Sequence, residues 1–442
     1  LVVFRAAGPG PVNAFLNAPP VMGLAEAERR LVARNLMVVA AQRGVDAARA
    51  QSLIAGSLPP AALSLGNTFG QVNERGGGGG MQGWRFLSPS NNLNLGLTGL
   101  IEIGGKRELR SRAASAQVNA AEAQVLDTLR GQVFQLRQAF IQGLAARANL
   151  EVALGNRASL DRTEALLRQQ VRLGAIPEGD LIRFQASRLS FEQDVTTNAQ
   201  AYAASIAALA LLMADDAANF APARQRAGSP VAFDLQGRLE ASQTLGVTRE
   251  ALAAATATRP DVVVAERMAA AMVANRDLAE AGRYRDVSVG LGLSRTRLTQ
   301  NVPGDFQAND QALLQFSVPI FNGRIVEGNI GVATAQAAQA EAMARAAALQ
   351  ARADFAVAWA ALEQTRALRS LYDSGALRRA EEAYEIAERA YLAGGRSLID
   401  TLDALRTLNA TRIQANQARA VYLLALAQLE QATGVTGILP QF

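Results

Sequence analysis

The 442-residue chain predicts a mainly α fold with a small β part, built as two internal repeats. Three observations carry this. Stretches of several dozen residues run without proline and read as long helices. Short segments of about ten residues alternate apolar with small polar side chains, the period of a two-faced strand. The order of these segments recurs at a spacing of roughly 220 residues, which is duplication of a whole unit and not a solenoid.

The elements follow in order. Residues 1–23, rich in Pro and Gly, read as an extended mature end that leaves room for an earlier segment. The first repeat is 24–215: a helix over 24–56, a β-hairpin over 61–103, a long helix from Lys106, a turn at Ile176–Gly179 and a return helix over 180–214. A linker over 216–246 follows. The second repeat, 247–434, runs through a helix over 248–282, a hairpin over 286–321, a long helix over 325–392, a turn at Gly394 and Gly395, and a return helix over 398–433. A tail closes the chain at 435–442.

"IGGKRELR" at Ile103 answers "FNGRIVEG" at Phe321, and "AQVNAAEA" at Ala116 answers "AQAAQAEA" at Ala335, with most offsets at 218 or 219. In the strands, Leu93, Leu95 and Leu97 share one parity and Asn94, Gly96 and Thr98 the other. Val287, Val289, Leu291 and Leu293 likewise oppose Ser288, Gly290, Gly292 and Ser294. Phe316, Val318 and Ile320 oppose Gln315 and Ser317. Ten residues suffice to cross a membrane at a tilt. A half-buried soluble sheet carries the same alternation. From Lys106 to about Leu173 is roughly 67 residues, or about 100 Å of helix. Leu126, Leu129, Val133, Leu136 and Phe140 repeat in the 3-4 spacing of coiled-coil packing. Phe355 and Trp359 take the places of Leu136 and Phe140 in the second repeat.

Composition excludes several functions. The chain has no Cys and no His. Disulfides, thiol chemistry, zinc sites and His-based catalysis are excluded, and neither a metal site nor a cofactor is expected. No constellation for an enzyme stands out. The glycine run at 76–80 lacks the Lys-Ser/Thr ending of a phosphate loop and reads as a flexible loop. The net charge is +5, but the basic residues are scattered among acids along the helices, so no nucleic-acid partner is expected. No run approaches the ~18 apolar residues of a membrane helix; if the chain meets a membrane, it must do so with strands. Four strands fall short of a closed barrel, whose smallest common form has eight, so the chain must pool strands with copies of itself.

"AGGRSLIDTLDALRTL" at Ala393 and "IEIGGKR" at Ile101, set in this order of elements, resemble the TolC family of outer-membrane efflux channels. The second motif resembles its CzcC-like heavy-metal branch. The resemblance spans about Glu26 to Gly434. It implies a homotrimer whose twelve pooled strands form a multi-pass barrel in the Gram-negative outer membrane. The long antiparallel coiled-coil helices would continue as a periplasmic α-barrel. It implies a passive exit duct of a tripartite pump, with a periplasmic adaptor (membrane fusion protein), an inner-membrane RND transporter and outer-membrane lipid as partners, passing divalent heavy-metal cations. Drug efflux and type I protein secretion are alternatives within transport. A structural coiled-coil scaffold without a pore is the alternative of another class.

The resemblance also assigns residues. Gly104, Gly105, Lys106, Arg107, Asn322 and Gly323 would form the junctions between barrel and tunnel, where glycine tolerates the bend. Lys106, Arg107, Arg110 and Arg112 oppose the helix dipole at an N-terminus, and pairing with lipid phosphates would explain them. Solvated charge paired with Glu108 is the plainer reading. Asp400 and Asp403 would form stacked carboxylate rings at the periplasmic aperture, with Arg396 helping to hold a closed state. Ile182 and Gln185 occupy the matching places in the first repeat. Ser397 as N-cap is a purely structural reading of Asp400. Gly174, Ile176, Pro177, Gly394, Gly395 and Ser397 would be the tips that meet the adaptor.

Overall fold

The computed structural model describes residues 11–16, 19–68, 92–215, 231–240, 245–299, 306–393 and 395–440. The expected extended N-terminus contains a short helix, α1 (Pro11–Phe15), and a strand, β1 (Val21–Met22). The first repeat continues with α2 (Leu24–Arg34), α3 (Leu36–Gly56), β2 (Ala62–Thr68), β3 (Asn92–Ile101), α4 (Lys106–Arg172) and α5 (Glu178–Leu212). Within the linker lies β4 (Asp234–Leu235), followed by α6 (Arg249–Ala255) and α7 (Pro260–Ala281). The second repeat adds β5 (Val287–Thr299), β6 (Phe306–Ser317), α8 (Gly323–Leu371), a π-helical turn (Tyr372–Ala376), α9 (Leu377–Leu392) and α10 (Leu398–Thr433). The glycine run at 76–80 lies outside the described residues.

Three expected helices are broken. Over 24–56 the break is Asn35, whose Oδ1 accepts from the N–H groups of Met37 (3.0 Å) and Val38 (3.1 Å) and so caps α3. Its Nδ2 donates to the Leu212 carbonyl at 2.7 Å. Over 248–282 the break is Arg259, held extended (φ −61°, ψ 137°) ahead of Pro260. Over 325–392 the break is the π turn, where Gly375 has φ 123°. Leu136 and Phe355 are 219 positions apart, as are Phe140 and Trp359, whereas the N-caps Pro177 and Ser397 and the buried Tyr202 and Tyr422 are 220 apart. One extra residue has therefore entered the second repeat between Trp359 and Ser397, and a π turn is how a helix absorbs one.

The chain divides into two compact units: 1–43, 123–264 and 345–442; and 44–122 with 265–344. Each draws on both repeats, so repeats and units are different divisions of the chain. In the first unit the core gathers Leu136, Phe140, Tyr202, Ile206, Leu209, Leu423 and Leu429, all essentially buried, each worth ~1.5–3 kcal/mol. Leu129 and Val133 pack partly against it. Leu126, expected in the same seam, is instead exposed. Helix α5 is long and apolar enough by composition to cross a membrane, contrary to the expectation that no segment would be. Its Phe184, Phe191, Tyr202, Ile206 and Leu209 are buried within this unit.

Buried ion pairs pin the non-helical segments. β4 pairs in parallel with β1, and buried Asp234 accepts from Arg147 Nε and Nη2 (both 2.8 Å) and from the Tyr202 hydroxyl (2.6 Å). Buried Arg259 holds Asp261 with two bonds, Asp354 at 2.9 Å and the Ala432 carbonyl at 3.3 Å. Burial pushes the Asp261 carboxyl up, but the Arg259 hydrogen bond and the Arg130 charge more than reverse this and hold it below the usual range. That stabilisation is present above about pH 4 and is lost as pH falls through the lowered folded-state value. Asp261→Asn should therefore flatten acid unfolding below about pH 4, followed by circular dichroism in detergent. A slope identical to the parent chain's would show that other carboxylates govern acid stability.

Candidate functional site

Three regions collect the residues singled out by the sequence. The first is the antiparallel sheet, in the order β2-β3-β5-β6. Its register sets Leu63, Leu97, Leu291 and Leu314 side by side, and Leu65, Leu95, Leu293 and Ala312 in the next row on that face. The other face carries Gly66, Asn94, Ser294 and Gln311 in one row and Ser64, Gly96, Gly292 and Leu313 in another. The expected parity holds, with Leu313 as an apolar exception. All these leucines are exposed. Arg295 and Asp310, paired at 3.2 Å across β5 and β6, bound the apolar rows at one end. β6 ends at Ser317, ahead of Pro319, which has no N–H to pair. Val318 and Ile320 therefore lie beyond the strand in which they were expected.

The second region is the junction of strand and helix. Gly104 and Gly105 take φ 83° and 68°, the left-handed region open to glycine. A Cβ on Gly104 would fall 2.5 Å from Tyr284 Cδ2. Lys106 Nζ donates to Asp286 Oδ1 at 2.8 Å and to the Tyr284 carbonyl at 2.7 Å, and Ile103 N–H donates to the same Asp286 oxygen at 3.1 Å. Burial pushes the Asp286 carboxyl up; the Lys106 and Ile103 hydrogen bonds outweigh it and leave it below the usual range. Arg110 grips Glu102 through both Nη atoms, and Arg112 meets Glu108 at 3.4 Å. The expectation that Lys106 and Arg110 serve lipid phosphates is thus corrected: both charges are spent inside the chain, on acids the spacing argument had not connected to them. Arg107 is exposed. At the other junction Gly323 is the first residue of α8 with no left-handed φ, so the bend there is not a glycine bend.

The third region holds the hairpin tips. Gly174 N–H donates to Val171 and Ala175 N–H to the Gln170 carbonyl at 2.9 Å; at the second tip Gly395 N–H donates to the Ala390 carbonyl at 2.8 Å. Gly394 lies outside the described residues. Ile176, expected at the docking surface, packs instead against the buried cluster of Leu160, Leu167, Phe184, Phe191, Leu402 and Leu405, while Gly174, Pro177, Gly395 and Ser397 are exposed. Ser397 and Asp400 form a capping box, with Asp400 N–H on Ser397 Oγ at 3.2 Å and Ser397 N–H on Asp400 Oδ2 at 3.3 Å. Asp403 meets Arg406 at 3.2 Å. Arg396 is exposed beside them. Aligned by their N-caps, the return helices set Asp180 opposite Asp400 and Arg183 opposite Asp403, in place of the expected Ile182 and Gln185. Gln185 instead donates to buried Glu164 at 2.9 Å. Among the described residues, no group of three or more Asp and Glu side chains could hold a metal ion.

Residues 251–435, nearly the whole second repeat, match the family model described as outer membrane efflux protein. The solved outer membrane channel CmeC of Campylobacter jejuni superposes with a TM-score of 0.74 at 17% identity, over 93% of this chain and 85% of CmeC. The second repeat of the chain thus carries the sequence pattern of outer membrane efflux proteins, and the chain has the fold of an outer membrane channel. Two relatives match over most of the length of this chain. Cobalt-zinc-cadmium resistance protein CzcC of Cupriavidus metallidurans is 26% identical over 338 residues, 75% of this chain and 73% of CzcC. Pyoverdine export outer membrane protein OpmQ of Pseudomonas putida is 25% identical over 405 residues, 90% of this chain and 82% of OpmQ. The fold is that of outer membrane channels, and the family matched by the second repeat is one of efflux channels rather than enzymes.

The junction of strand and helix depends on Gly104 doubly, through its φ and through contact with Tyr284. Gly104→Ala should cost about 1–3 kcal/mol of strain, and Gly105→Ala less, because a Cβ there meets nothing within 4 Å. Heat-induced unfolding of the two variants in detergent reads the difference; equal losses would show that φ alone matters.

Proposed function

We propose that three copies of this chain close one barrel and form the exit duct of a tripartite efflux pump, working with a periplasmic adaptor and an inner-membrane RND transporter. The observation that carries this is the open sheet: β2 and β6 are its edges, and one face is a continuous apolar surface. β2 and β6 run in opposite directions, so β2 of one copy can pair antiparallel with β6 of the next. Three chains then supply twelve strands and leave no edge in the lipid. Mass measurement in mild detergent should give the trimer; a stable monomer that inserts alone would overturn this. With Leu95, Leu97, Leu291 and Leu293 facing lipid, Leu291→Arg should cost ~2–4 kcal/mol near the midplane, and Ser294→Arg, on the other face, much less. Equal loss of assembly from both would contradict the assigned faces.

The cargo we favour is a divalent heavy-metal cation, on the likeness to CzcC. Export of a larger organic molecule is the second reading, favoured by the likeness to OpmQ. Survival of a deletion strain on zinc, cadmium, cobalt and hydrophobic drugs separates them. Asp400 and Asp403 support a cation-preferring aperture, since rings of carboxylates around an axis attract cations. Their bonds to Ser397 and Arg406 satisfy part of each carboxylate and leave both side chains at the surface. The exposed tip residues Gly174, Pro177, Gly395 and Ser397 are the proposed contact with the adaptor. Asp400→Ala with Asp403→Ala should lower cation selectivity and weaken multivalent block in planar bilayers, most at low salt. Unchanged selectivity would reduce the two aspartates to a helix cap and a surface ion pair.

A further inference from the structure

The two junctions differ in charge. At the start of α4, Lys106 and Arg110 are neutralised by Asp286 and Glu102. At the start of α8, a cavity of about 360 Å³ is lined by Arg283, Arg285, Asn322, Gly323 and Val326, with Glu327 as its one acid. Both arginines are exposed, and neither has an ion pair among the described residues. A Cβ on Gly323 would meet nothing within 4 Å, so the space beside it is open. Apolar side chains flank this cationic patch in sequence: Tyr284, Val318, Ile320 and Phe321 are 58%, 41%, 58% and 94% exposed.

The spacing of charge along β5 says what depth this patch occupies. Arg285 and Arg295 are ten residues apart, about 33 Å along an extended chain. A strand tilted by ~35–45° reduces this to about 25 Å, the height of the apolar band of an outer-membrane barrel. Val287, Val289, Leu291 and Leu293 fill the interval on the apolar face. Arg295, tied to Asp310, then stands at one membrane surface, and Arg285 at the other, at the end that leads into the long helices. The patch is continuous with the lipid-facing rows and opposite in charge to a phosphate diester.

We propose that Arg283 and Arg285, with the open start of α8 between them and the exposed Phe321, form a docking surface for anionic phospholipid headgroups of the periplasmic leaflet. The arginines supply bidentate donors to the phosphate, and Ile320 and Phe321 reach the acyl boundary beside it. This gives the chain a preference for a charged lipid at the junction that opens α8. It rests on the outer-membrane placement of the sheet, and it is independent of the cargo.

Native mass spectrometry of the full chain, released from nanodiscs of equal phosphatidylglycerol and phosphatidylcholine, tests it. The parent chain should retain phosphatidylglycerol preferentially. Arg283→Gln with Arg285→Gln should lower that preference by roughly fivefold per arginine removed. Arg378→Gln with Arg389→Gln, exposed arginines of α9 far along the chain from the strands, should leave it intact. Equal retention of the two lipids by the parent chain overturns the proposal without recourse to any variant. So does a preference that survives in the double variant, or displacement of the lipid by millimolar inorganic phosphate, which would mark a free-anion site. The same spectra report the mass of the assembly, so failure to trimerise is read separately from failure to hold lipid.

Discussion

A backbone amide has no water to pair with in hydrocarbon, so a sheet there must have no free edge. This chain carries four paired strands with β2 and β6 at the outside, and most of its other features answer to that constraint. The strands are two-faced because one side meets lipid and the other does not. The register is held across all four strands, because a slip by one residue would turn every leucine of the band to the wrong side. Pro319, two residues past the end of β6, has no N–H with which to continue the pairing into the junction. Arg295 and Asp310 close the apolar rows with a charge pair at the other end. Strand length, parity and edge thus have one cause.

Outside the strands the duplication has diverged where local chemistry allowed. One junction bends on Gly104 against Tyr284 and holds Lys106 on Asp286; its counterpart begins α8 without a left-handed glycine, and Arg283 and Arg285 beside it have no ion pair among the described residues. The first long helix is continuous for 67 residues, and the second absorbs one residue in a π turn. Asp373 in that turn holds Arg369 and Arg419, both at 3.0 Å, so the irregular turn is fastened both to its own helix and to the return helix. In the first unit, buried carboxylates and guanidiniums hold the segments that are not helical. Asp234 fixes β4, Arg259 fixes the break before α7, and Glu430 accepts from the Ile438 and Leu439 N–H groups and so fixes the tail. A partner lost from any of these leaves a buried group uncompensated.

Much of this was legible in the amino-acid sequence. Proline-free stretches and period-two alternation located the long helices and the strands, since helix interiors exclude proline and a pleated strand turns alternate side chains to opposite faces. The repeat showed in Leu136 and Phe140 against Phe355 and Trp359. The capping role of Ser397 was readable from its spacing to Asp400, and the apolar face of the sheet from Leu95, Leu97, Leu291 and Leu293. Apart from the repeat, these are local properties, set by neighbours within a few residues.

What only the tertiary structure decided was pairing between residues far apart in the chain. Lys106 meets Asp286 across 180 positions, and no spacing rule connects them. The helix breaks at Asn35 and Arg259 depend on Leu212, Asp354 and Ala432, which arrive from other elements. Ile176 turned into the tip cluster because Phe184 and Leu402 pack there. Asp180 rather than Ile182 came to match Asp400 because helix caps, and not sequence offsets, set the register of the return helices. Local periodicity dictates which elements form; which charge is spent inside the chain and which is left for a partner depends on distances that exist only after folding.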